Sequence, residues 1–156
     1  MLQQTRVAAV IPYYRQFVEK FPSMRALARA KSETVLGRWA GLGYYSRARN
    51  LHRAAKEIVT RHGGRVPQDY EATLALPGIG RYTAGAVLSI AFDQRQPILE
   101  ANTVRLFSRL LAYPGDTATA AGQKVLWATA EAVLHATITI PQPRANSRSM
   151  AARVNS

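Results

Sequence analysis

The sequence contains no cysteine among its 156 residues. This absence excludes disulfides, thiol nucleophiles and any thiolate-bound zinc or iron–sulfur centre made by this chain alone, so no cofactor of that kind is expected. Long apolar runs are also missing, and none approaches the roughly 20 residues that cross a bilayer. The first residues lack the charged-then-apolar order of a secretory signal. We therefore expect a soluble, cytoplasmic protein.

Acidic residues are scarce as well. The chain has 21 Lys and Arg but only 9 Asp and Glu, which gives a formal net charge of +12. Such an excess indicates an anionic partner, because clustered cations gain free energy by displacing counterions from phosphates. Nucleic acid is the favoured partner, and an anionic membrane surface is the alternative. The 47% of hydrophobic residues is enough for a packed core, so we expect one globular domain.

Apolar residues recur at helical spacing along most of the chain, and no alternating run is long enough to predict a sheet. The pattern therefore predicts an all-α fold. Its predicted helices cover residues 2–11, a segment that starts at Pro12, two short helices capped by Ser23 and Ser32, residues 45–61, a short helix capped by Asp69, and residues 83–92, 102–111 and 120–134.

Two stretches of the sequence indicate where helical structure ends. Gly63 and Gly64 are expected to close the helix over residues 45–61. Beyond residue 135, Pro141 and Pro143 precede a mixture without apolar periodicity. We therefore predict a helical domain over residues 1–134 and an irregular, disordered tail over residues 135–156.

Residues 76–86 form the most informative stretch, reading Leu-Pro-Gly-Ile-Gly-Arg-Tyr-Thr-Ala-Gly-Ala. Two glycines permit a sharp turn, and the apolar residue between them can enter the core. The amides that follow open the next helix, where backbone donors and the helix dipole favour an anion. An ordinary connection between two helices is the alternative. The favoured interpretation is a DNA phosphate site made by Pro77, Gly78, Ile79, Gly80 and Thr83.

Four segments together resemble a known family. Residues 76–86 resemble the helix-hairpin-helix of the DNA glycosylase superfamily that includes endonuclease III. Residues 1–7, residues 41–51 and the region around Asn102 resemble the A/G-specific adenine DNA glycosylases, the MutY family. The similarity runs from residue 1 to about residue 134. It implies an endonuclease III-like multi-helix domain that removes adenine opposite guanine or 8-oxoguanine by hydrolysis, in base-excision repair.

The resemblance implies roles for side chains that read or open the duplex. Gln3 and Gln4 would enter it near the mispaired guanine, because amides can both donate to and accept from exposed base edges. Tyr44 or Tyr45 would be the aromatic wedge that holds the gap left by the extruded adenine. Of the two tyrosines, Tyr44 is favoured.

The helix after the tyrosines carries a basic face. Arg47, Arg49 and Arg53 are candidate phosphate contacts on that face. A merely solvated helix face is the alternative.

The chemistry that the resemblance implies needs two carboxyl groups, one to protonate the adenine and one to stabilise the cationic sugar. The family places the acid, a glutamate, two residues before the position of Met1. Glu100 aligns with the family's second carboxylate, an aspartate, and Asn102 matches the family's asparagine, with a simple helix N-cap as its alternative role. Tyr82 stands where bifunctional relatives have a Schiff-base lysine, and a phenol cannot form one.

The resembled family continues into a four-cysteine loop that binds a [4Fe–4S] cluster and then into a domain that inspects 8-oxoguanine. Neither is recognisable here, so we expect a chain truncated at both ends, marginally stable, that binds DNA without appreciable base release. A non-catalytic helix-hairpin-helix DNA-binding fragment and an endonuclease III-like lyase are the alternatives, and Tyr82 argues against the lyase. The expected partner is double-stranded DNA with the mispair, bound by a monomer at the nucleoid, or in the nucleus or mitochondrion of a eukaryote.

Overall fold

The computed structural model describes Met1 and residues 5–136 of the chain. The expectations for Gln3, Gln4 and residues 137–156 lie outside this described part. Within it the regular structure is helical without any strand, which confirms the predicted all-α fold. The helices are α1 (Val7–Lys20), α2 (Met24–Arg29), α3 (Ser32–Trp39), α4 (Ser46–Arg61), α5 (Tyr70–Leu74), α6 (Arg81–Phe92), α7 (Ala101–Leu110) and α8 (Ala120–His135).

The larger core lies among the first four helices. Phe17 of α1 packs edge-on against Trp39 of α3, with ring centroids 6.0 Å apart. Ala48 and Ala55 of α4 are seven residues apart, share one face of the helix and are fully buried in the same core. Because alanines present little bulk, α4 can lie close to α2 and α3, with which it makes most of its helix contacts. Packing in this core therefore fixes the position of α4, against which later residues of the chain pack.

Two smaller apolar clusters attach the second half of the chain. Ala54 and Ile58 of α4 pack with Leu76, which fixes the connection between α5 and α6 against α4. Leu99 packs with Phe107 of α7 and with buried residues of α8. The segment before α7 is thereby tied to the last two helices.

The prediction that the chain breaks at Pro12 is wrong, because α1 is continuous over Val7–Lys20 with Pro12 inside it. A proline there removes one helical hydrogen bond and costs about 3 kcal/mol in an exposed helix. Val10 and Phe17, on either side of the proline, are both buried in the main core. Tertiary packing of this apolar face offsets the local cost.

Most helix termini follow the sequence signals. The Ser23 and Asp69 side chains accept hydrogen bonds from backbone amides of α2 and α5, as predicted for N-caps. Ser32 was predicted as a cap but is the first residue of α3, with Lys31 in the cap position. Gly63 and Gly64 end α4 with positive φ, as predicted. None of the helices in the described part is long and apolar enough to span a membrane.

Candidate nucleic-acid interface and carboxylate site

The connection between α5 and α6, residues 75–80, is a tight hairpin. Gly78 has φ of 78°, in the left-handed region that favours glycine. The Ile79 amide donates to the Leu76 carbonyl at 3.1 Å, and the Ile79 side chain packs against the cluster that includes Ile58. One apolar residue thus plugs the hairpin into the core, while Gly78 and Gly80 stay exposed.

The N-terminus of α6 offers backbone donors at the surface. Gly80 is its cap residue, and its carbonyl accepts from the Ala84 amide at 2.9 Å. In the part of the chain that the structure describes, the amides of residues 80–83 have no protein acceptor. Such amides, together with the dipole of a 12-residue helix, form a site suited to a phosphate oxygen.

The hairpin is held at a fixed position along α4. A Cβ atom added at Gly78 would lie 2.6 Å from the Cβ of Asn50 and 2.8 Å from its Nδ2. This contact leaves no room for any side chain at Gly78. Asn50 of α4 therefore sets how closely the hairpin approaches the helix.

A basic groove of about 320 Å³ lies between α4 and the hairpin. Pro77 forms its hairpin side, and Arg53, Lys56 and Arg61 line its α4 side. Arg61 is paired with Glu57 at 2.7 Å, so its charge is largely compensated. The exposed side chains of Arg53 and Lys56 contribute positive charge beside the exposed amides of the hairpin.

Tyr44 is an exposed aromatic residue in an unusual backbone conformation. Its φ is 47°, which few bulky residues adopt, and its side chain is 63% exposed. Tyr45 is 41% exposed and has ordinary helical torsion angles at the start of α4. A large ring held outward by a strained backbone is typical of a functional position. Of the two tyrosines, Tyr44 is therefore the more exposed and the one in a strained conformation, and it remains the favoured candidate for the wedge.

The two neighbouring arginines, which were assigned the same role from the sequence, lie in different environments. Arg49 is exposed on α4, where a phosphate can reach it. Arg47 is half-buried, and its guanidinium donates to the Met1 carbonyl at 3.0 Å and to the Leu42 carbonyl at 3.3 Å. Arg47 therefore does not lie on the exposed face that the helical pattern predicted for it.

Glu100 is the N-cap residue of α7. Its Oε1 accepts from the amides of Asn102 at 2.9 Å and Thr103 at 3.1 Å, and the Thr103 hydroxyl accepts from the Glu100 amide at 2.7 Å. The Asn102 side chain donates to Oε2 at 3.3 Å. The alternative role of Asn102 as the cap is therefore wrong, because Glu100 occupies that position and Asn102 is one of its donors.

These donors keep the Glu100 carboxylate charged. The Asn102 amide makes the largest contribution to lowering the pKa of Glu100 below its usual range, and the Thr103 amide, the Asn102 side chain and the positive charge of Arg105 add to it. At neutral pH the group is an anion and has no proton to donate. It is suited to stabilising a nearby positive charge rather than to acting as an acid.

Replacing Glu100 with glutamine should therefore destabilise the chain at neutral pH but not in acid. The folded-state pKa lies below the unfolded one, so the stabilisation is present above the unfolded pKa and is lost as the pH falls through the folded pKa. Urea unfolding of both chains at about pH 7 and about pH 3 measures the difference. Glu19→Gln, at an exposed site in the last turn of α1, is the control. The assignment would be contradicted if the free energies of unfolding of Glu100→Gln and the unaltered chain differed by the same amount at both pH values.

Tyr82 and Glu100 belong to two elements that pack against each other. Tyr82 is 43% exposed in the first turn of α6. Three residues further along α6, a Cβ atom at Gly85 would lie 2.5 Å from the Pro97 carbonyl oxygen. Among the described residues, no hydrogen bond joins Tyr82 to Glu100 or Asn102. The structure thus brings the two elements together through Gly85 and not through a direct contact of the predicted catalytic side chains.

Two residues of these sites were missed in the sequence. Thr103 completes a reciprocal cap with Glu100, and the Glu-x-x-Thr spacing before an amphipathic helix could have indicated it. Asn50 supports the hairpin from α4, and no local pattern points to that contact because it depends on tertiary packing.

The residues present do not fit an iron–sulfur cluster. The sequence has no cysteine to supply thiolates, and the described residues include no group of His, Asp and Glu side chains that could hold a metal ion.

Exposed hairpin amides beside a basic groove on a helical domain form a surface suited to the phosphate backbone of a nucleic acid. A sequence model of the family described as "HhH-GPD superfamily base excision DNA repair protein" matches residues 1–130. The chain belongs to this family of base-excision DNA glycosylases. This confirms the resemblance on which the sequence interpretation rested.

Individual relatives agree with the family. The chain is 45% identical to the adenine DNA glycosylase of Rattus norvegicus over 132 residues, which is 84% of this chain and 26% of that protein. It is 41% identical to that of Buchnera aphidicola subsp. Baizongia pistaciae, over 85% of this chain and 37% of that protein. The chain thus spans about a quarter to a little over a third of these two relatives.

Solved structures share the fold. A thermostable thymine-DNA glycosylase superposes with a TM-score of 0.72 and 30% identity, over 85% of this chain and 61% of that one. A trapped endonuclease III–DNA covalent intermediate gives a TM-score of 0.63 and 26% identity, over 70% of this chain and 52% of that one. The predicted endonuclease III-like glycosylase fold is therefore confirmed.

Proposed function

We propose that this chain is the DNA-binding and carboxylate-bearing domain of a monofunctional adenine DNA glycosylase, which acts on adenine opposite guanine or 8-oxoguanine. The observation that carries the proposal is Glu100, an ionised carboxylate at the start of α7, on the segment that packs against the hairpin helix through Gly85. Relatives named adenine DNA glycosylases support the choice of base.

The proposed roles follow from where the groups lie. The exposed amides at the start of α6 and the cations of the groove bind phosphates of one strand, and Tyr44 fills the gap left by the extruded adenine. The family resemblance, and not their position, assigns Gln3 and Gln4 to the opposite base. The partner is duplex DNA inside the cell, and a monomer of the protein binds it.

Two side chains would act at the sugar. The Glu100 carboxylate stabilises the positive charge that develops on the sugar as the glycosidic bond breaks. Tyr82 lies near the sugar and has no amine with which to form a Schiff base, so the base is lost to water without strand cleavage. The departing adenine needs a proton, which an ionised Glu100 cannot give. We therefore expect this chain to bind the mispair and to release little adenine.

The test compares binding to duplexes that differ in one base pair. Fluorescence anisotropy should show about tenfold tighter binding to a duplex with adenine opposite 8-oxoguanine than to the same duplex with an A·T pair. Tyr44→Ala should abolish this preference, because the wedge acts only where the base pair opens. A hairpin module without glycosylase ancestry would bind both duplexes equally, and that result would reject the proposal.

The same samples give the chemical readout. Free adenine is measured under single-turnover conditions with the unaltered chain and with Glu100→Gln. The expected result is little release from either. Adenine release that Glu100→Gln abolishes would show that the reaction depends on Glu100 and would overturn this expectation. Binding to either duplex should weaken steeply with salt. The slope of the logarithm of the binding constant against the logarithm of the salt concentration should be about −0.9 for each phosphate contacted.

A further inference from the structure

The side chain of Arg47 lies inside the loop that presents Tyr44. This loop, residues 40–45, joins α3 to α4, and Arg47 follows in the first turn of α4. Its two terminal nitrogens donate to carbonyls of different segments. Nη1 donates to the Met1 carbonyl at 3.0 Å, and Nη2 donates to the Leu42 carbonyl in the loop at 3.3 Å. The half-buried guanidinium therefore ties the loop to the start of the chain.

Two aromatic rings lie beside the same guanidinium. The central carbon of the Arg47 guanidinium is 5.5 Å from the ring centroid of Trp39 and 5.5 Å from that of Tyr44. Trp39 is buried in the core, and its indole N–H donates to the Gly43 carbonyl at 3.1 Å. One cation thus connects a buried core ring to an exposed ring.

The exposed ring needs such support. At φ of 47°, Tyr44 has a backbone conformation that is unfavourable for a residue with a Cβ atom. With its side chain 63% exposed, little core packing offsets this cost. The contact with Arg47 is the one described ring interaction of Tyr44.

We propose that Arg47 is a positioning residue, which holds Tyr44 in the orientation required to enter the base stack and does not bind a phosphate. The inference rests on the proposed function, since it concerns the insertion of Tyr44 beside an extruded base. Arginine suits this role because its planar fork can donate to two carbonyls while its faces contact rings. Lysine keeps the charge but has neither the fork nor the planar faces.

The test uses Arg47→Lys and a duplex with 2-aminopurine opposite 8-oxoguanine. The fluorescence of 2-aminopurine rises when the base leaves the stack, so it reports extrusion separately from binding. Arg47→Lys should give about a tenfold lower ratio of extruded to stacked base, while its affinity for an undamaged duplex and the salt slope stay unchanged. Arg15→Lys, the same replacement at an exposed site on α1 away from the groove and the loop, should leave extrusion unchanged.

A double variant tests whether the effect passes through the tyrosine. Tyr44→Leu should itself reduce extrusion, and adding Arg47→Lys to it should produce no further loss. An equal further loss would show that Arg47 acts independently of Tyr44 and would overturn the inference. Unchanged extrusion in Arg47→Lys would also overturn it. If the unaltered chain gives no fluorescence rise, the proposed function fails, and the inference fails with it.

A measurement on the unaltered chain covers the case in which Arg47→Lys does not fold. The side-chain Nε signals of ¹⁵N-labelled arginines are followed by NMR as an undamaged duplex is added. A guanidinium already bonded to protein carbonyls should keep its signal position, whereas an arginine that binds phosphate should shift. A shift of the Arg47 signal comparable to that of Arg49 would identify Arg47 as a phosphate ligand and reject the positioning role.

Discussion

Replacing Gly78 with alanine should destabilise the chain by about 2–5 kcal/mol and abolish its binding to duplex DNA. The first part of the cost is the backbone, because φ of 78° lies in the region that residues with a Cβ atom avoid. The second part is steric, because the new methyl group would lie 2.6 Å from the Asn50 Cβ. The hairpin would have to move away from α4, and the amides after it would lose their position.

Denaturant unfolding and duplex anisotropy measure the two effects, and other glycines of the chain separate their causes. Gly63 also has positive φ, 64°, but a Cβ there meets nothing within 4 Å, so Gly63→Ala should cost only the backbone part of about 1–2 kcal/mol. Gly80 has negative φ and equally open surroundings, so Gly80→Ala should leave stability nearly unchanged. If Gly78→Ala were no worse than Gly63→Ala, Asn50 would not set the hairpin position.

Local signals were sufficient to predict most of the fold. Helical periodicity predicts the helices, and short polar side chains such as Ser23 and Asp69 mark helix starts correctly because a cap involves only neighbouring residues. The continuous helix through Pro12 was not predicted, because the energy that permits it comes from burying Val10 and Phe17 against residues distant in sequence. Local propensity contains no term for such packing.

In the candidate sites, too, local features could be predicted from the sequence and features that depend on tertiary packing could not. The hairpin could be located from its glycines, since a tight turn is a local property. The environment of Arg47 could not, because the loop and the Met1 carbonyl that enclose its guanidinium are brought there by tertiary packing. Sequence pattern thus identifies which residue types are available, and the packing of distant segments decides which of them face solvent.

Glu100 shows how a carboxylate can be held by the helix that it caps. Its side chain reaches the two amides at the start of α7, and Thr103 closes the cap from the other side. The carboxylate position therefore depends on where α7 begins. That position depends in turn on the segment before α7, which packs under α6 at Gly85.

Replacing Gly85 with alanine is therefore expected to destabilise the chain by about 1–3 kcal/mol, although alanine is the better helix former by about 1 kcal/mol. The added methyl group would lie 2.5 Å from the Pro97 carbonyl oxygen, a backbone atom that can move only with its segment. Because Pro97 is three residues before Glu100, the cap should loosen and the pKa of Glu100 should rise towards its ordinary value. A ¹³C NMR titration of the Glu100 carboxyl carbon, together with urea unfolding, measures both effects.

Gly37 provides the matched control, since it also lies inside a helix, but a Cβ there meets nothing within 4 Å. Gly37→Ala should stabilise the chain by about 0.5–1 kcal/mol, so the same substitution in two helices should have opposite signs. The sign of the stability change in Gly85→Ala decides whether α6 fixes the segment that leads to Glu100. If Gly85→Ala stabilised the chain as Gly37→Ala does, with the Glu100 titration unmoved, the contact with Pro97 would not position the carboxylate, and Glu100 would depend on its own cap alone.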